Sequence, residues 1–309
     1  MPSSTSTRST CPPLRSRNGR ISASFAVTRS FRSAIRASIR GPSMAAWRSM
    51  CHPPGSHPPD VPADLRRISG GAGGEDVIIT SEDATRFRAH LAKADEGDRG
   101  VVIAPDVRGL HPFYEELAER FASAGVHAIA IDYFGRTAGT THRGDDFEYR
   151  EHVAKTKTTT IQADIASAIG HLRGATDARR IYVLGFCMGG RQAFFASAEH
   201  AELSGVVGFY GRLSTREGEE GTAPKDRAAR MRAPVLGLFG GADPSIPASD
   251  VDQFAGALKV ARVEHHVVTY PDAPHSFFDR TSAEHQESCE DAWRRALAFI
   301  KTGDVGARA

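Results

Sequence analysis

The most reactive side chain in the sequence is Cys187, which lies between two glycines in the segment Gly-Phe-Cys-Met-Gly at 185–189. An aliphatic, β-strand-like run at 181–184 precedes this segment, and a helix-like stretch at 191–200 follows it. A nucleophile at such a tight strand-to-helix turn is exposed at the carboxyl end of its strand. The flanking glycines are needed because the strained backbone leaves little room for neighbouring Cβ atoms. The pattern therefore predicts a cysteine nucleophile.

Two side chains that follow Cys187 in the chain complete a nucleophilic triad. Asp243 comes after the strand predicted at 235–239, and His275 comes after the next predicted strand, 264–270. Ligands of open α/β sheets bind beyond the carboxyl ends of the strands, and nucleophile, acid, histidine is one of the known triad orders. We expect His275 to take the thiol proton and later to activate water. Asp243 is expected to orient the imidazole and favour its charged form.

The tetrahedral intermediate of such a reaction needs an oxyanion hole. We expect its donors to be the backbone N–H groups of Met188 and of Val107, which lies in the loop after the strand predicted at 100–104.

Cys187 and Asp243 also have structural interpretations: a lone buried cysteine is usually a small hydrophobe, and an aspartate before a proline can form a turn. The first alternative suits Cys289, on the apolar stripe of the last predicted helix. Position after a strand favours the catalytic interpretation for Cys187 and Asp243.

The composition is that of an ordinary globular protein. The 309 residues suffice for one large or two small domains, with 40% hydrophobic and 25% charged residues. No apolar run approaches the roughly 20 residues that span a bilayer. The four cysteines have neither disulfide-framework nor metal-site spacing. We therefore expect a reduced, cytoplasmic protein without a metal site.

The first 59 residues differ from the rest, since they hold nine arginines and no lysine or acidic residue. The remainder has 30 basic against 37 acidic residues, which gives no sign of nucleic-acid binding. A transit peptide, a disordered extension and a start codon assigned too early, with Met44 or Met50 as a later start, are the alternative interpretations. We expect 1–49 to lie outside the fold, 50–74 to be a poorly structured lead-in, and 303–309 to be a tail.

The remaining segments alternate between strand-like and helix-like patterns. An opening hairpin is predicted at 76–80 and 87–92, and a long polar loop at 132–158. Strands that alternate with helices of this length indicate a mostly parallel sheet covered on both faces. The prediction is a single doubly wound α/β domain over 75–302.

With these residues in place, the chain from about Met50 onward resembles the dienelactone hydrolase family, the carboxymethylenebutenolidase-like branch of the α/β-hydrolases. The resemblance rests on APDVRGL at 104–110, IDYFGR at 131–136, GFCMGG at 185–190 and PHSF at 274–277. The segment at 50–54, MCHPP, is similar to the beginning of such proteins. The family implies a Cys-His-Asp triad that hydrolyses enol lactones without a metal or cofactor.

The resemblance also assigns roles to side chains outside the triad. A glutamate that helps to generate the thiolate in the family is matched by Asp106, which is one methylene shorter. Of two arginines that hold the substrate carboxylate, the first is matched by Arg136. The second falls on Asp279, with Arg280 one residue later. Arg108, beside the expected oxyanion loop, is a further candidate for anion binding, since a guanidinium suits a carboxylate.

The identity of the nucleophile bears on the substrate. A thiolate is also a good leaving group, so the tetrahedral intermediate expels it unless the alcohol side departs easily. We therefore expect the substrate to be a small-molecule enol ester or lactone, with or without a carboxylate. The protein itself is expected to be a monomer or a small homo-oligomer. A different class of function is a non-catalytic protein that binds or senses small carboxylates, which the departures at Asp106 and Asp279 motivate. Redox sensing through Cys187 is weaker because no resolving cysteine lies near it in sequence.

Overall fold

The computed structural model describes residues 57–60, 73–215, 222–279 and 281–308. The expected extension at 1–49 therefore lies outside the described residues, as does most of the lead-in at 50–74. Regular structure in the described part begins at Gly74 and ends at Thr302. Gly303, with φ 85°, ends the last helix, and Val305 in the expected tail is buried.

A single sheet of eight strands forms the centre of the fold. The strands are Gly74–Thr80 (β1), Arg86–Ala92 (β2), Arg99–Ala104 (β3), His127–Ile131 (β4), Arg180–Phe186 (β5), Gly205–Phe209 (β6), Val235–Gly240 (β7) and His265–Tyr270 (β8). Their order is β1-β2-β4-β3-β5-β6-β7-β8. β1 and β2 form an antiparallel hairpin, β2 is antiparallel to β4, and the remaining pairs are parallel. The predicted mostly parallel α/β class is confirmed.

The described residues also form seven α-helices and one 3₁₀ helix, Pro224–Arg230, which lie between the strands except for the last α-helix, which follows β8. The α-helices are Pro112–Ser123 (α1), Gly135–Ala138 (α2), Arg150–Val153 (α3), Thr158–Ala175 (α4), Met188–Glu199 (α5), Ala248–Val260 (α6) and Gln286–Thr302 (α7). α1 begins with Pro112 in its first turn, where a proline leaves no N–H unpaired, and the His111 ring accepts the Phe113 N–H.

Two glycines of β6 show how helices pack on both faces of the sheet. A Cβ on Gly205 would meet the Phe299 ring of α7, and a Cβ on Gly208 would meet the Phe194 ring of α5. Residues three apart in a strand point to opposite faces. Each ring therefore uses the space that a missing side chain leaves, one above the sheet and one below it. Strands covered in this way are apolar along their whole length, and all five residues of β6 are buried.

The register aligns the carboxyl ends of the strands that precede the candidate residues. Ala104 of β3 pairs with Gly185 of β5, Phe186 with Phe209 of β6, and Gly240 of β7 with Tyr270 of β8. Because these strands are parallel, the loops that follow them leave the sheet at one edge. This edge carries the predicted oxyanion loop, Cys187, Asp243 and His275.

Two segments differ from the sequence prediction. The segment at 132–158 is not one continuous loop, because it contains the short helices α2 and α3. The 3₁₀ helix at Pro224–Arg230 was not predicted at all. Four- to seven-residue helices are too short to show a clear apolar periodicity, which explains why the pattern missed them. Among the described residues, no helix combines the length and apolar character needed to cross a bilayer.

Candidate active site

Cys187 occupies the turn between β5 and α5 in a strained conformation. Its backbone has φ 52° and ψ −109°, and a positive φ is unusual for any residue with a Cβ. Such strain costs on the order of 1–3 kcal/mol and persists only where the surrounding structure enforces it. Here the Cys187 N–H donates to the carbonyl of Phe209, and the Cys187 carbonyl accepts from Arg191 N. The result is a half-buried cysteine at the carboxyl edge of the sheet.

The two flanking glycines are explained by close backbone contacts. A Cβ on Gly185 would overlap the carbonyl oxygen of Gly189. A Cβ on Gly189 would in turn overlap the carbonyl oxygens of Ala104 and Pro105, in the loop after β3. The absence of both Cβ atoms lets the first turn of α5 approach its own strand and the loop after β3. This is the strand-to-helix turn that the sequence predicts.

Asp243 and His275 are in direct contact. Asp243 follows β7 and His275 follows β8, and their side chains are joined by a hydrogen bond of 2.6 Å from His275 Nδ1 to Asp243 Oδ2. Both residues are buried. The second ring nitrogen, Nε2, is buried without a hydrogen-bond partner among the described residues. With Nδ1 held by a carboxylate, Nε2 is the nitrogen available for proton exchange with a reacting group.

The electrostatics of His275 link it to Cys187. Burial alone disfavours the imidazolium, but the charge of the Cys187 sulfur and the hydrogen bond to Asp243 outweigh it and raise the pKa of His275 to about 10. The cysteine is thus close enough to influence the proton on the ring. The structure brings Cys187, His275 and Asp243 together as a group, and their catalytic roles stay a prediction.

Ser245 was not predicted from the sequence, although it lies two residues after Asp243. Its hydroxyl donates to Asp243 Oδ1 at 2.6 Å, and its backbone N–H donates to the same oxygen at 2.8 Å. Burial raises the pKa of Asp243, but the contacts with His275 and Ser245 lower it more, so the carboxylate stays ionised. The signal that could have found Ser245 is the local turn, in which an aspartate accepts from the residue two positions on.

The loop after β3 is the predicted oxyanion loop. Met188 is the first residue of α5, and an N–H in the first turn of a helix has no acceptor within that helix. Val107 is half-buried in the loop, between the buried Asp106 and Arg108. The close approach of Gly189 to the carbonyls of Ala104 and Pro105 places this loop against the start of α5. Val107 and Met188 therefore lie on segments in contact, which an oxyanion hole requires.

Two tyrosines beside these groups also escaped the sequence prediction. Tyr133 follows β4 and its hydroxyl donates to the Pro105 carbonyl at 2.9 Å. Tyr210 follows β6, has φ 38°, and its ring centroid lies 5.0 Å from that of His275. Both are buried. Tyr133 lies within the IDYFGR segment at 131–136, in which it was assigned no role, and the sequence signal for Tyr210 is its position directly after β6.

Asp106 and Arg108, expected to help to activate the thiol and to bind an anion, bind each other. Arg108 Nε donates to both carboxylate oxygens of Asp106 at 3.1 Å, and Arg108 also forms an ion pair with Asp279. Burial disfavours the charge of Arg108, but the adjacent charged groups, Asp106 foremost, raise its pKa. Asp279, at the position where the resemblance implies an arginine, thus binds Arg108 of the loop after β3.

Arg136 is not joined to the triad by any hydrogen bond among the described residues. Its guanidinium instead binds the buried carboxylate of Asp164 on α4 at 2.6 Å. It also binds Asp83, from the turn between β1 and β2, at 2.8 Å. Its charge is therefore shared between two carboxylates. Arg280, the other arginine expected to bind substrate, lies outside the described residues.

Arg191 on α5 anchors the segment after β6. It donates to the carbonyl oxygens of Arg212, Ser214 and Thr222 at distances from 2.7 to 3.2 Å. Its guanidinium also lies over the ring of Phe195, 5.4 Å from the centroid. The helix that begins at the cysteine thus also holds the backbone beyond the neighbouring strand. In the described part of the chain, no group of three or more His, Cys, Asp or Glu side chains is arranged to hold a metal ion.

Comparison with known proteins bears on the family and the fold. The family model of the dienelactone hydrolase family matches residues 87–303. A protein of Salmonella typhimurium, provisionally named a carboxymethylenebutenolidase, is 30% identical over 264 residues, which cover 81% of this chain and 96% of the relative. An Escherichia coli K12 protein with the same provisional name is 29% identical over 240 residues, which cover 74% of this chain and 86% of the relative.

A solved structure extends the similarity to three dimensions. The crystal structure of a provisionally named dienelactone hydrolase from Klebsiella pneumoniae has a TM-score of 0.66 and 28% sequence identity. The match covers 74% of this chain and 98% of that one. The similarity in sequence and structure therefore spans nearly the whole length of these relatives.

Proposed function

Because the chain belongs to the dienelactone hydrolase family and is a carboxylic ester hydrolase, we propose that it cleaves activated esters and lactones through an acyl-enzyme on Cys187. One observation carries this proposal. A cysteine in a strained elbow lies beside a histidine whose other ring nitrogen is held by a buried carboxylate. That arrangement activates a thiol and holds the proton that the leaving group needs.

Acylation begins from the ion pair of the Cys187 thiolate and the His275 imidazolium. The sulfur attacks the carbonyl carbon, and the oxygen that becomes negative accepts hydrogen bonds from Met188 N–H and Val107 N–H. When the carbon–oxygen bond to the alcohol side breaks, His275 Nε2 supplies the proton to the departing oxygen. The alcohol or enol product leaves, and the acyl group stays on sulfur as a thioester.

Deacylation needs a neutral His275, and loss of the negative charge on Cys187 favours that neutral state. The Cys187 charge is the foremost cause that raises the pKa of His275, and a thioester carries no such charge. The pKa of His275 therefore falls once the acyl group is in place. The ring can then take a proton from water, which attacks the thioester and regenerates the thiolate with release of the acid.

The roles of the remaining expected residues are proposals of the same kind. Asp106 was expected to help generate the thiolate, but Arg108 binds both of its carboxylate oxygens, so we assign removal of the thiol proton to His275. Arg136 and Arg108 are each bound by two carboxylates. We therefore expect esters without a free carboxylate to be accepted as well as those that carry one. The free thiol suits a reducing compartment such as the cytoplasm.

The experiment is a hydrolysis screen of enol esters, lactones and p-nitrophenyl acetate, each neutral substrate paired with an analogue that bears a carboxylate. Wild-type protein is expected to turn over enol esters and lactones, and Cys187→Ala to lose turnover while remaining folded. Full activity of Cys187→Ala would refute the proposal. Tight binding of a small carboxylate with no turnover on any ester would instead favour a non-catalytic binding protein.

A further inference from the structure

Three buried charged side chains connect the two loops on either side of the cysteine. We call Asp106, Arg108 and Asp279 the Arg108 cluster. Asp106 and Arg108 lie in the loop after β3, and Asp279 lies four residues after His275 in the loop after β8. The exposed fractions of their side chains are only 4%, 8% and 2%, respectively. The cluster is therefore part of the protein interior and not of the surface.

Within the loop after β3, the cluster fixes the backbone around Val107. Arg108 donates its backbone N–H to Asp106 Oδ1 at 2.9 Å, and the Gly109 N–H donates to the Asp106 carbonyl at 3.2 Å. Asp106 is held from the other side, because its own N–H donates to the Tyr114 hydroxyl at 3.1 Å. These bonds form a compact turn with Val107 in the middle, so the direction of its N–H depends on the turn.

Between the loops, the ion pair of Arg108 and Asp279 spans 171 positions of sequence. Asp279 is itself tied to the histidine loop, since its N–H donates to the Ser276 carbonyl at 3.1 Å, directly after His275. The guanidinium carbon lies 5.5 Å from the ring centroids of both Phe113 and Tyr114. Arg108 is thus restrained by aromatic rings, by its own loop and by the loop that carries the base.

We propose that Arg108 is a positioning residue that sets the Val107 N–H relative to His275 by joining their loops through Asp106 and Asp279. The proposal rests on the proposed function, because it concerns the same reaction. It differs from the expectation that Arg108 binds a substrate carboxylate. Such a carboxylate would have to compete with two that are already in contact with the guanidinium inside the fold.

One stage of the reaction is sensitive to the position of the Val107 N–H relative to His275. Thiolate formation needs only Cys187 and His275, whereas the tetrahedral intermediate needs the oxyanion donors and the imidazolium in register. A misplacement of about 1 Å costs on the order of 100-fold in rate. Loosening the cluster should therefore lower kcat and leave thiolate reactivity and KM nearly unchanged.

The test compares wild type with Asp279→Asn, Arg108→Gln and the double variant Arg108→Gln/Asp279→Asn. Asp279→Asn keeps Arg108 paired with Asp106, so it is the variant most suited to fold. The control is Asp76→Asn, because Arg88 is likewise held by two carboxylates, Asp76 and Glu115, in the hairpin and α1. Three quantities are measured: kcat and KM for p-nitrophenyl acetate, the rate of Cys187 alkylation by iodoacetamide, and hydrogen exchange of peptides covering 105–110 and 274–279.

We expect Asp279→Asn to lower kcat by tenfold or more, with KM and the alkylation rate within threefold of wild type. The double variant should be no slower than the slower single variant, because each single substitution already breaks the same connection between the two loops, the ion pair of Arg108 and Asp279. Exchange should become faster in both loops, and Asp76→Asn should change none of these values. Additive losses, or an alkylation rate that falls in step with kcat, would overturn the proposal. So would a rise of KM confined to carboxylate-bearing substrates.

The outcomes separate this proposal from the proposed function. Absence of turnover by wild type on every ester would refute the function, and hydrogen exchange would still decide whether Asp279 restrains both loops. Wild-type kcat and unchanged exchange in Asp279→Asn would refute the positioning role and leave the proposed function standing.

Discussion

Nδ1 of His275 lies 2.6 Å from Oδ2 of Asp243, although the two residues come from loops after different strands. The register of β7 with β8 makes this possible, because Gly240 pairs with Tyr270 at the carboxyl edge of the sheet. The contact orients the ring and leaves Nε2 for Cys187. The proton on this ring and the reactivity of the Cys187 thiol give two predictions.

The proton on His275 should depend on the charge of Cys187. In wild type we expect the imidazolium to persist until the pH approaches about 10, the value to which the Cys187 charge and Asp243 raise its pKa. In Cys187→Ala the first of these causes is gone, so the ring should lose its proton at lower pH. An NMR titration of the ring measures both values. Cys289→Ala is the control and should titrate as wild type does, and equal pKa values in wild type and Cys187→Ala would contradict the prediction.

Alkylation should distinguish the two described cysteines. Burial raises the pKa of Cys289 to about 12, so at pH 8 only about one molecule in ten thousand carries its thiolate. Cys187 is only half-buried, and the pKa of the adjacent His275 is raised, which favours an imidazolium beside the sulfur. We expect iodoacetamide to modify Cys187 at least about 100-fold faster. Peptide mass spectrometry over time measures the two rates, and His275→Ala should slow the Cys187 reaction alone.

Removal of the Ser245 hydroxyl should weaken the hydrogen bonding that stabilises the charged carboxylate of Asp243. Ser245→Ala keeps the backbone N–H bond but loses the 2.6 Å hydroxyl bond. A lost hydrogen bond to a carboxylate is worth about 1.5–3 kcal/mol, so we expect kcat/KM to fall by roughly 10- to 150-fold.

The pH dependence has a definite sign. Ser245 lowers the pKa of Asp243, so its removal raises that pKa and activity should fail at a higher pH on the acid side. A pH profile of kcat/KM tests this. Ser167→Ala, which removes a hydroxyl bonded within α4, serves as control. An unshifted acid limb would count against the role of Ser245.

Two glycines should respond to alanine in opposite directions. Gly189→Ala places a Cβ against the carbonyl oxygens of Ala104 and Pro105, and we expect a loss of about 3 kcal/mol of unfolding free energy. Gly170→Ala lies in α4 with nothing within 4 Å of its new Cβ, and we expect a gain of about 0.5–1 kcal/mol. Urea denaturation measures both. Equal effects would show that the elbow does not require glycine for steric reasons.

The parts of the fold and site that could be predicted from the sequence are those with a local signal. The elbow is contained in a few consecutive residues, and Asp243 and His275 each follow a recognisable strand. The ion pairs of Arg108 with Asp279 and of Arg136 with Asp164 join residues 171 and 28 positions apart. Nothing in either segment alone specifies its partner, because the pairing depends on how the loops meet in three dimensions. The substrate roles expected for Arg108 and Arg136 rested on their charge alone, because the carboxylates that bind each guanidinium could not be identified from the sequence.

Arg191 has a consequence for how this scaffold can vary. It holds the segment after β6 through main-chain carbonyl oxygens of Arg212, Ser214 and Thr222, and every amino acid offers the same oxygen. Substitutions at these three positions therefore leave the anchor intact, provided that the backbone path is kept. The side chains there can diverge between relatives, or be exchanged by design, without disturbing the helix that begins beside Cys187.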